Sequence, residues 1–320
     1  MANFYGSYIG YGAGGAEAGY TYNGSLYGFS YAGNSGANEV EKLVFATEAD
    51  CTDVSDMTLK RNSWSGTTSA GVAGFCGGGY VDGVTRNIID KLTFATLASM
   101  TDHGDLIAKR RFCTGASDAT HGYYFSTYLV GSEGGAGRYN EIWRFAFESN
   151  VTASDVGDLS ATNLRGAGAT DATNSYGYMM GGHDGSSHTD YVERFAQAAS
   201  SSGADVGNLT VARGEPAGVS SPTEAFMAGG GEANISNVID RFPFAASITS
   251  VDVGNLSNTR FENCGVSGTD KGYSMGGMHP HGGTAVNIVD RWSTSSYGDA
   301  VDICNLSATG GYLGGEGSQQ

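Results

Sequence analysis

Four of the six histidines lie in two polar, glycine-rich segments of the chain. One segment contains His183, Asp184 and His188, and the other contains His279 and His281. Imidazole nitrogens beside carboxylate oxygens could ligate a transition metal. Histidines in polar, glycine-rich loops are usually solvated instead. These five residues are therefore ligand-binding candidates, and the sequence predicts neither a metal site nor a cofactor.

Aromatic residues in loops give a second kind of candidate, because aromatic faces stack on sugar rings. Tyr80 and Tyr139 follow apolar runs and are the better candidates for a ligand site in a loop. Trp64 and Trp292 could stack in the same way. Trp292, however, occupies the last apolar position of a tetrad that repeats along the chain, so we predict that it lies in the core.

No catalytic constellation emerges from the chain. It contains no Gly-x-Ser-x-Gly elbow, no Walker loop and no His-Glu-x-x-His helix motif. Paired glycosidase carboxylates could hide among the 33 acidic residues, but the repeat described below accounts for many of them. We therefore predict that the protein is not an enzyme, and an enzyme acting on polysaccharide stays the weaker alternative.

Charge and composition limit the classes of molecule that the protein can bind. The formal net charge is −16, which repels phosphate backbones and anionic lipids, so we expect no nucleic acid and no membrane insertion. No apolar run approaches 18 residues, and the first residues do not resemble a signal peptide. The five cysteines show no Cys-x-x-Cys spacing and are expected to be reduced core residues of a chain folded in cytoplasm.

The elements that must position these residues come from an internal repeat. A hydrophobic–acidic–basic–hydrophobic tetrad begins at residues 40, 89, 142, 192, 239 and 289, with Trp143 replacing the acid in the third copy. Successive copies start 49, 53, 50, 47 and 50 residues apart. A period near 50 indicates a propeller blade or a solenoid coil.

Each repeat contains four short strand-like pieces and no helical periodicity, which fits a blade of a β-propeller. A β-solenoid is the alternative, although its coils are usually shorter. The chain ends where earlier copies place the strand that opens the next hairpin. We therefore predict an all-β, six-bladed propeller over residues 16–320, closed by strands from both termini. Residues 1–15 would form an arm or an extra sealing strand.

An aspartate follows the basic residue of every tetrad by 11 positions. Adjacent acid and base point to opposite faces of a strand, so the later aspartate is the expected partner of the base. The predicted structural pairs are Lys42–Asp53, Lys91–Asp102, Arg144–Asp155, Arg194–Asp205, Arg241–Asp252 and Arg291–Asp302.

The repeat resembles that of kelch-type β-propellers. The resemblance rests on glycine doublets after an apolar run (Gly77-Gly78, Gly181-Gly182, Gly229-Gly230 and Gly276-Gly277) and on a basic residue closing the third piece (Arg61, Arg110, Arg165, Arg213 and Arg260). The usual kelch tryptophan is replaced by the Asp-Val-Gly-Asn/Asp-Leu element, as in kelch-like repeats of tailed-bacteriophage structural proteins, especially those of cyanophages.

This resemblance implies a non-enzymatic virion component: a tail fibre, a tail tip or a capsid-attached propeller. Its blade loops would be presented to a host surface glycan or to other virion proteins. Localisation would be the virion, after assembly in host cytoplasm, and a homo-oligomer would fit the symmetric sites of a particle. A lectin-like carbohydrate-binding module independent of a virion is the alternative.

Overall fold

The computed structural model describes residues 26–31, 38–61, 66–70, 73–129, 137–231, 235–279, 284–310 and 318–319. The predicted arm, residues 1–15, lies outside these ranges, as does the first part of the predicted propeller. Every regular element in the described part of the chain is a β-strand. None of the described residues belongs to a helix long and apolar enough to cross a membrane.

The strands form six antiparallel sheets, here called blades 1 to 6. From the inner to the outer edge, blade 1 contains Ser318–Gln319, Tyr27–Tyr31, Glu39–Val44 and Thr52–Asp56; blade 2 contains Gly66–Ala70, Ala73–Gly77, Ile88–Thr93 and Thr101–Asp105; and blade 3 contains Thr114–Ser117, His121–Phe125, Glu141–Ala146 and Ser154–Asp158. Blade 4 contains Ala167–Asp171, Tyr176–Met180, Tyr191–Ala196 and Ala204–Asn208; blade 5 contains Ala217–Ser220, Glu224–Ala228, Val238–Pro243 and Val251–Asn255; and blade 6 contains Cys264–Ser267, Lys271–Met275, Thr284–Ser293 and Val301–Gly310.

Several short strands lie outside the four main strands of each blade. Two small hairpins pair Tyr80–Val81 with Val84–Thr85 and Thr127–Leu129 with Gly137–Tyr139, and Met278–His279 pairs with the start of the third strand of blade 6. Ser201–Ser202 and Ile248–Thr249 add in parallel to the outer strands of blades 3 and 4.

The ring is closed by both ends of the chain. The C-terminal strand is the innermost strand of blade 1 and pairs with the N-terminal strand Tyr27–Tyr31, with Phe29 opposite Ser318. This inner strand also contacts the inner strands of blades 2 and 6. The predictions of six blades and of closure by the two termini are confirmed, and the solenoid alternative is wrong.

The hydrophobic core is divided among the six boundaries between neighbouring blades. The apolar residues that open and close each tetrad are all at most 2% exposed. Ile89 packs with Tyr124 of blade 3, whereas Leu92 packs with Phe29 of blade 1. Both faces of a blade are therefore buried, which explains why positions three apart, on opposite faces of a strand, are both apolar. Trp292 lies in the core between blades 5 and 6, as predicted.

Outer edges are covered by the neighbouring blade. The connection between the third and fourth strands of each blade reaches back to the outer strand of the preceding blade. In blade 4 this connection contains Ser201–Ser202, which pairs with the outer strand of blade 3. Gly157 has a φ of 145° there, and a Cβ would clash with the Ser201 carbonyl. Glycine in this element thus permits close approach, and the covered edge is unavailable for pairing with another chain.

Candidate functional site

The connections that follow the second strands emerge at one end of the ring, here called the loop face. The segments that lead from one blade to the next lie at the same end. Gly181 begins such a connection with a φ of 60°, and a Cβ there would lie 2.5 Å from the Arg213 carbonyl oxygen. The same contact occurs in blade 2 at Gly78 with Arg110. The doublet of blade 2 is therefore Gly78-Gly79 rather than Gly77-Gly78.

The loop face carries an aromatic–arginine platform at blades 2 and 3, formed by Tyr80, Arg111, Phe112, Tyr128 and Arg165. The Arg111 guanidinium lies 4.7 Å from the Tyr80 ring centre and 5.2 Å from that of Tyr128. Arg165 lies 4.5 Å from the Phe112 ring centre. Main-chain hydrogen bonds join Arg111 to Tyr128 in both directions, at 3.0 and 2.9 Å. Two elements 17 residues apart are thus fixed side by side.

This platform combines the two properties needed to hold a sugar. Tyr80 and Tyr128 are half-buried, so part of each side chain is accessible to solvent. Their aromatic faces can stack on the apolar face of a sugar ring. The Arg111 guanidinium supplies planar, permanently charged donors for hydroxyl or carboxylate oxygens. Tyr80 is the one sequence candidate in this cluster.

Tyr139 packs against a different arginine, Arg110, which is buried. The Arg110 guanidinium is 3.7 Å from the Tyr139 ring centre and 4.8 Å from that of Trp143. Its Nη2 donates to Glu141 Oε2 at 3.2 Å. Tyr139 therefore supports the boundary between blades 2 and 3.

A row of residues with left-handed backbone begins within the platform and continues along the loop face. Phe112, Arg165, Glu215 and Glu262 have φ values of 58°, 62°, 58° and 55°, and each precedes the inner strand of its blade. Glu215 N donates to the Arg165 carbonyl at 2.6 Å, and Glu262 N donates to the Glu215 carbonyl at 2.7 Å. Arg165 also forms a 2.6 Å ion pair with Glu215. Main-chain bonds thus link successive blades at this end of the ring.

The side chains in the histidine loop of blade 4 contact and hydrogen-bond to other residues of the same loop. The His183 and His188 rings meet edge to face with centres 5.1 Å apart. His183 Nδ1 accepts a hydrogen bond from Gly185 N at 2.8 Å. The pKa of Asp184 is lowered because its carboxylate accepts main-chain hydrogen bonds from Ser187 and Ser186.

The remaining histidine candidates do not extend this group. His279 is half-buried in a short strand opposite Thr284 of blade 6. His281 and Trp64 lie outside the described residues. No group of three or more potential metal ligands occurs among the residues that the structure describes.

The repeated charges have a structural role that differs from the predicted one. Arg241 pairs with Glu224 at 2.7 Å, and Arg291 pairs with Glu48 at the same distance. Asp252 instead accepts a hydrogen bond from Gly254 N at 3.0 Å. The expected Arg241–Asp252 and Arg291–Asp302 pairings are therefore corrected.

The physical reason is strand register. Asp252 lies opposite Asp240 and not opposite Arg241, so Arg241 points to the other face of the sheet. The same register places Asp53 opposite Glu41, Asp102 opposite Asp90, Asp205 opposite Glu193 and Asp302 opposite Asp290, while Asp155 lies opposite Trp143. Lys42, Lys91 and Arg194 lie over the rings of Tyr27, Phe75 and Tyr176, and Arg144 lies opposite Tyr123 in the second strand.

The tetrad acid fastens the segment that arrives from the preceding blade; we call this contact the latch. At the boundary between blades 4 and 5, Asp240 accepts hydrogen bonds from Thr210 N and Oγ1 and pairs with Arg213 at 3.1 Å. Asp90 holds Thr58 and Arg61 in the same way, and Asp290 holds Ser257 and Arg260. The ion pairs of these latches are fully buried.

Latches without an arginine use the longer acid. The position of Arg213 is occupied by Asn163 in one repeat and by Gly310 in another. The facing acids are then Glu193, which accepts from Ser160 N at 2.6 Å, and Glu41, which accepts from Ser307 N at 2.7 Å. Burial raises the pKa of both glutamates, and the serine hydrogen bonds oppose this rise.

The latch was detectable in the sequence. In the five repeats that keep an acid, it is Asp where the residue eight after the preceding repeat's aspartate is arginine, and Glu where it is asparagine or glycine; the third repeat, preceded by Arg110, has Trp143 instead. Aligned this way, Asn163 and not Arg165 is the third repeat's counterpart of Arg213. The run Lys109-Arg110-Arg111-Phe112 also signals the platform, because it gathers three basic residues and an aromatic in one inter-blade segment.

Comparison with known proteins adds no family. No protein-family model matches the chain, and no curated protein is significantly similar to it.

Proposed function

We propose that this propeller is a non-enzymatic structural and interaction protein of a phage virion, in a tail fibre, a tail tip or a capsid-attached position. In this role the loop face is presented to a host surface glycan or to a neighbouring virion protein. The observation that carries the proposal is the platform of Tyr80, Arg111 and Tyr128, which offers aromatic faces and permanently charged donors together. The kelch-like form of the repeat, with its resemblance to phage structural proteins, supports the virion assignment.

The architecture is suited to presenting the loop face to a ligand. Buried ion pairs fix inter-blade segments at the loop face, and two main-chain hydrogen bonds hold Arg111 beside Tyr128, so a ligand at the platform meets elements that are already positioned. All five cysteines are buried and none is joined to another, which supports assembly in cytoplasm. A disc of this kind can occupy symmetric positions in a particle as a homo-oligomer.

Immunogold labelling of purified particles tests the virion assignment. Antibody raised against the recombinant protein is expected to label a tail tip, a fibre or a vertex, and the position separates host recognition from capsid decoration. Protein found only in cell lysate, with unlabelled particles, would contradict the proposal.

A lectin-like module independent of any virion is the second candidate, because the platform alone suits sugar binding. Glycan-array binding by the free protein, together with unlabelled particles, would favour it. Glycan binding with labelled tail tips would instead support the virion role.

A further inference from the structure

Two cysteines from opposite ends of the chain meet where the ring closes. Cys51 precedes the outer strand of blade 1, and Cys304 lies in the outer strand of blade 6. They share one hydrophobic cluster and are 4% and 6% exposed. Cys51 N donates to the carbonyl of Asn305, the neighbour of Cys304, at 2.8 Å.

The same two positions can be compared at all six boundaries between blades. The main-chain hydrogen bond at Cys51 recurs at Met100, Ala153, Gly203 and Ala300, which donate to Asp56, Asp105, Asp158 and Asn255. Taken with the repeat alignment, the pairs corresponding to Cys304 and Cys51 are Ser55 and Met100, Gly104 and Ala153, Gly157 and Gly203, Gly207 and Ser250, and Gly254 and Ala300. Two cysteines occur at the ring-closing boundary alone.

That boundary differs from the other five because the three outer strands of blade 1 come from the N-terminal part of the chain, and only the inner strand Ser318–Gln319 continues from blade 6. The boundary is held by side chains from the two ends: Glu48 pairs with Lys271 at 3.1 Å and with Arg291 at 2.7 Å, and Glu41 accepts from Ser307. Asn305 N also donates to Asp50 Oδ1 at 2.9 Å. A covalent bond here would join blades 1 and 6 directly.

We propose that Cys51 and Cys304 are a redox-sensitive pair that forms a disulfide across the ring-closing boundary. The oxidant is a small-molecule disulfide such as oxidised glutathione. The Cys304 thiolate attacks one glutathione sulfur, which forms a mixed disulfide and releases one glutathione thiolate. Cys51 then loses its proton to water and attacks the Cys304 sulfur, which forms the protein disulfide and releases the second glutathione thiolate.

The pKa shifts of the two thiols indicate which one reacts first. The Cys51 thiol donates a hydrogen bond to the Cys304 sulfur, which, with burial, raises the pKa of Cys51. The same hydrogen bond lowers the pKa of Cys304, although burial opposes the change. Cys304 is therefore the first thiolate to form, and Cys51 is the resolving thiol.

Peptide mapping tests the proposal, because every cysteine falls in a separate tryptic peptide. Cys51 lies in residues 43–60, Cys304 in 292–320, Cys264 in 261–271, Cys76 in 62–86 and Cys113 in 112–138. The full chain is incubated with oxidised glutathione a few degrees below its unfolding midpoint, where local opening admits the reagent. Remaining thiols are then alkylated before digestion.

The expected product joins peptides 43–60 and 292–320 and raises Tm by roughly 10 °C, because a cross-link closing a loop this long constrains the unfolded chain strongly. Cys264→Ser, which removes the third cysteine of the cluster, should keep both effects, and Cys51→Ser should lose both. A cross-link to peptide 261–271, or full alkylation of all five peptides, would overturn the proposal. The mapping of the unaltered chain decides the matter even if a variant does not fold.

Discussion

Replacing Asp240 by asparagine should unfold the propeller at clearly milder conditions. Asp240 and its partner Arg213 are 0% and 1% exposed, and Asp240 also accepts two hydrogen bonds from Thr210. The variant keeps the size of the side chain but removes its charge. Arg213 is then left as a buried cation without its ionic partner.

The magnitude follows from this burial. Removing one partner of a buried ion pair costs about 3–5 kcal/mol. This is a large share of the roughly 5–15 kcal/mol by which folded proteins exceed their unfolded states. The expected fall in Tm is on the order of 10 °C for a domain of this size.

Urea and thermal unfolding followed by circular dichroism measure this loss. Arg241→Met is the matched control: it is the next residue, on the opposite face, and its ion pair with Glu224 is 22% and 15% exposed. That control should lose clearly less than Asp240→Asn, because its ion pair keeps partial access to solvent. The double variant Arg213→Met/Asp240→Leu should recover most of the loss, because apolar groups can replace a buried pair. Equal losses for Asp240→Asn and Arg241→Met would refute the latch.

Three further predictions concern the same framework. A double-mutant cycle on Arg241 and Asp252 should be additive within about 0.5 kcal/mol, because the two side chains lie on opposite faces; coupling above 1 kcal/mol in urea unfolding would restore the pairing. Glu193→Gln tests the raised pKa of Glu193. The stability that this residue contributes is present below its unfolded pKa and is lost as pH rises through its folded pKa. The free energy of unfolding of the native chain, relative to that of the variant, should therefore be lower at pH 7 than at pH 4, and a pH-independent difference would contradict this. Gly181→Ala should cost at least about 1–2 kcal/mol by thermal unfolding, because the alanine would need a left-handed backbone and its Cβ would meet the Arg213 carbonyl, whereas a neutral effect would contradict the contact.

Much of the architecture could be predicted because it depends on local pattern and period. The repeat spacing of about 50 residues indicated the blades, and the truncated last repeat indicated where the chain ends meet. The apolar ends of the tetrads, such as Ile89 and Leu92, are fully buried because each blade lies between two others.

The charge partners could not be predicted from a single blade. Asp240 finds Thr210 and Arg213 some 30 residues earlier, in the segment that enters from the preceding blade. Strand alternation excludes Asp252 as the partner of Arg241 only when the register is known. A bulge between Ile239 and Asp240 shifts that register by one.

The candidate site was predicted only at Tyr80. Arg111 comes from an inter-blade segment and Tyr128 from a separate hairpin, and only the ring brings them together. Tyr139 fits the composition of a sugar site equally well, but it packs on the buried Arg110 and not on the arginine of the platform. Side-chain type alone does not show which arginine each tyrosine packs against.

Ligand binding by matched tyrosine variants tests the central claim most directly, namely that the loop face is the binding surface. Tyr80 stacks with Arg111 on this face, and Tyr176 stacks with Arg194 at the opposite end of the ring. On an array of bacterial surface glycans and purified virion proteins, Tyr80→Ala should weaken binding at least tenfold, equivalent to about 1.4 kcal/mol, while Tyr176→Ala binds like the native chain. Binding that survives Tyr80→Ala and is lost in Tyr176→Ala would contradict the account.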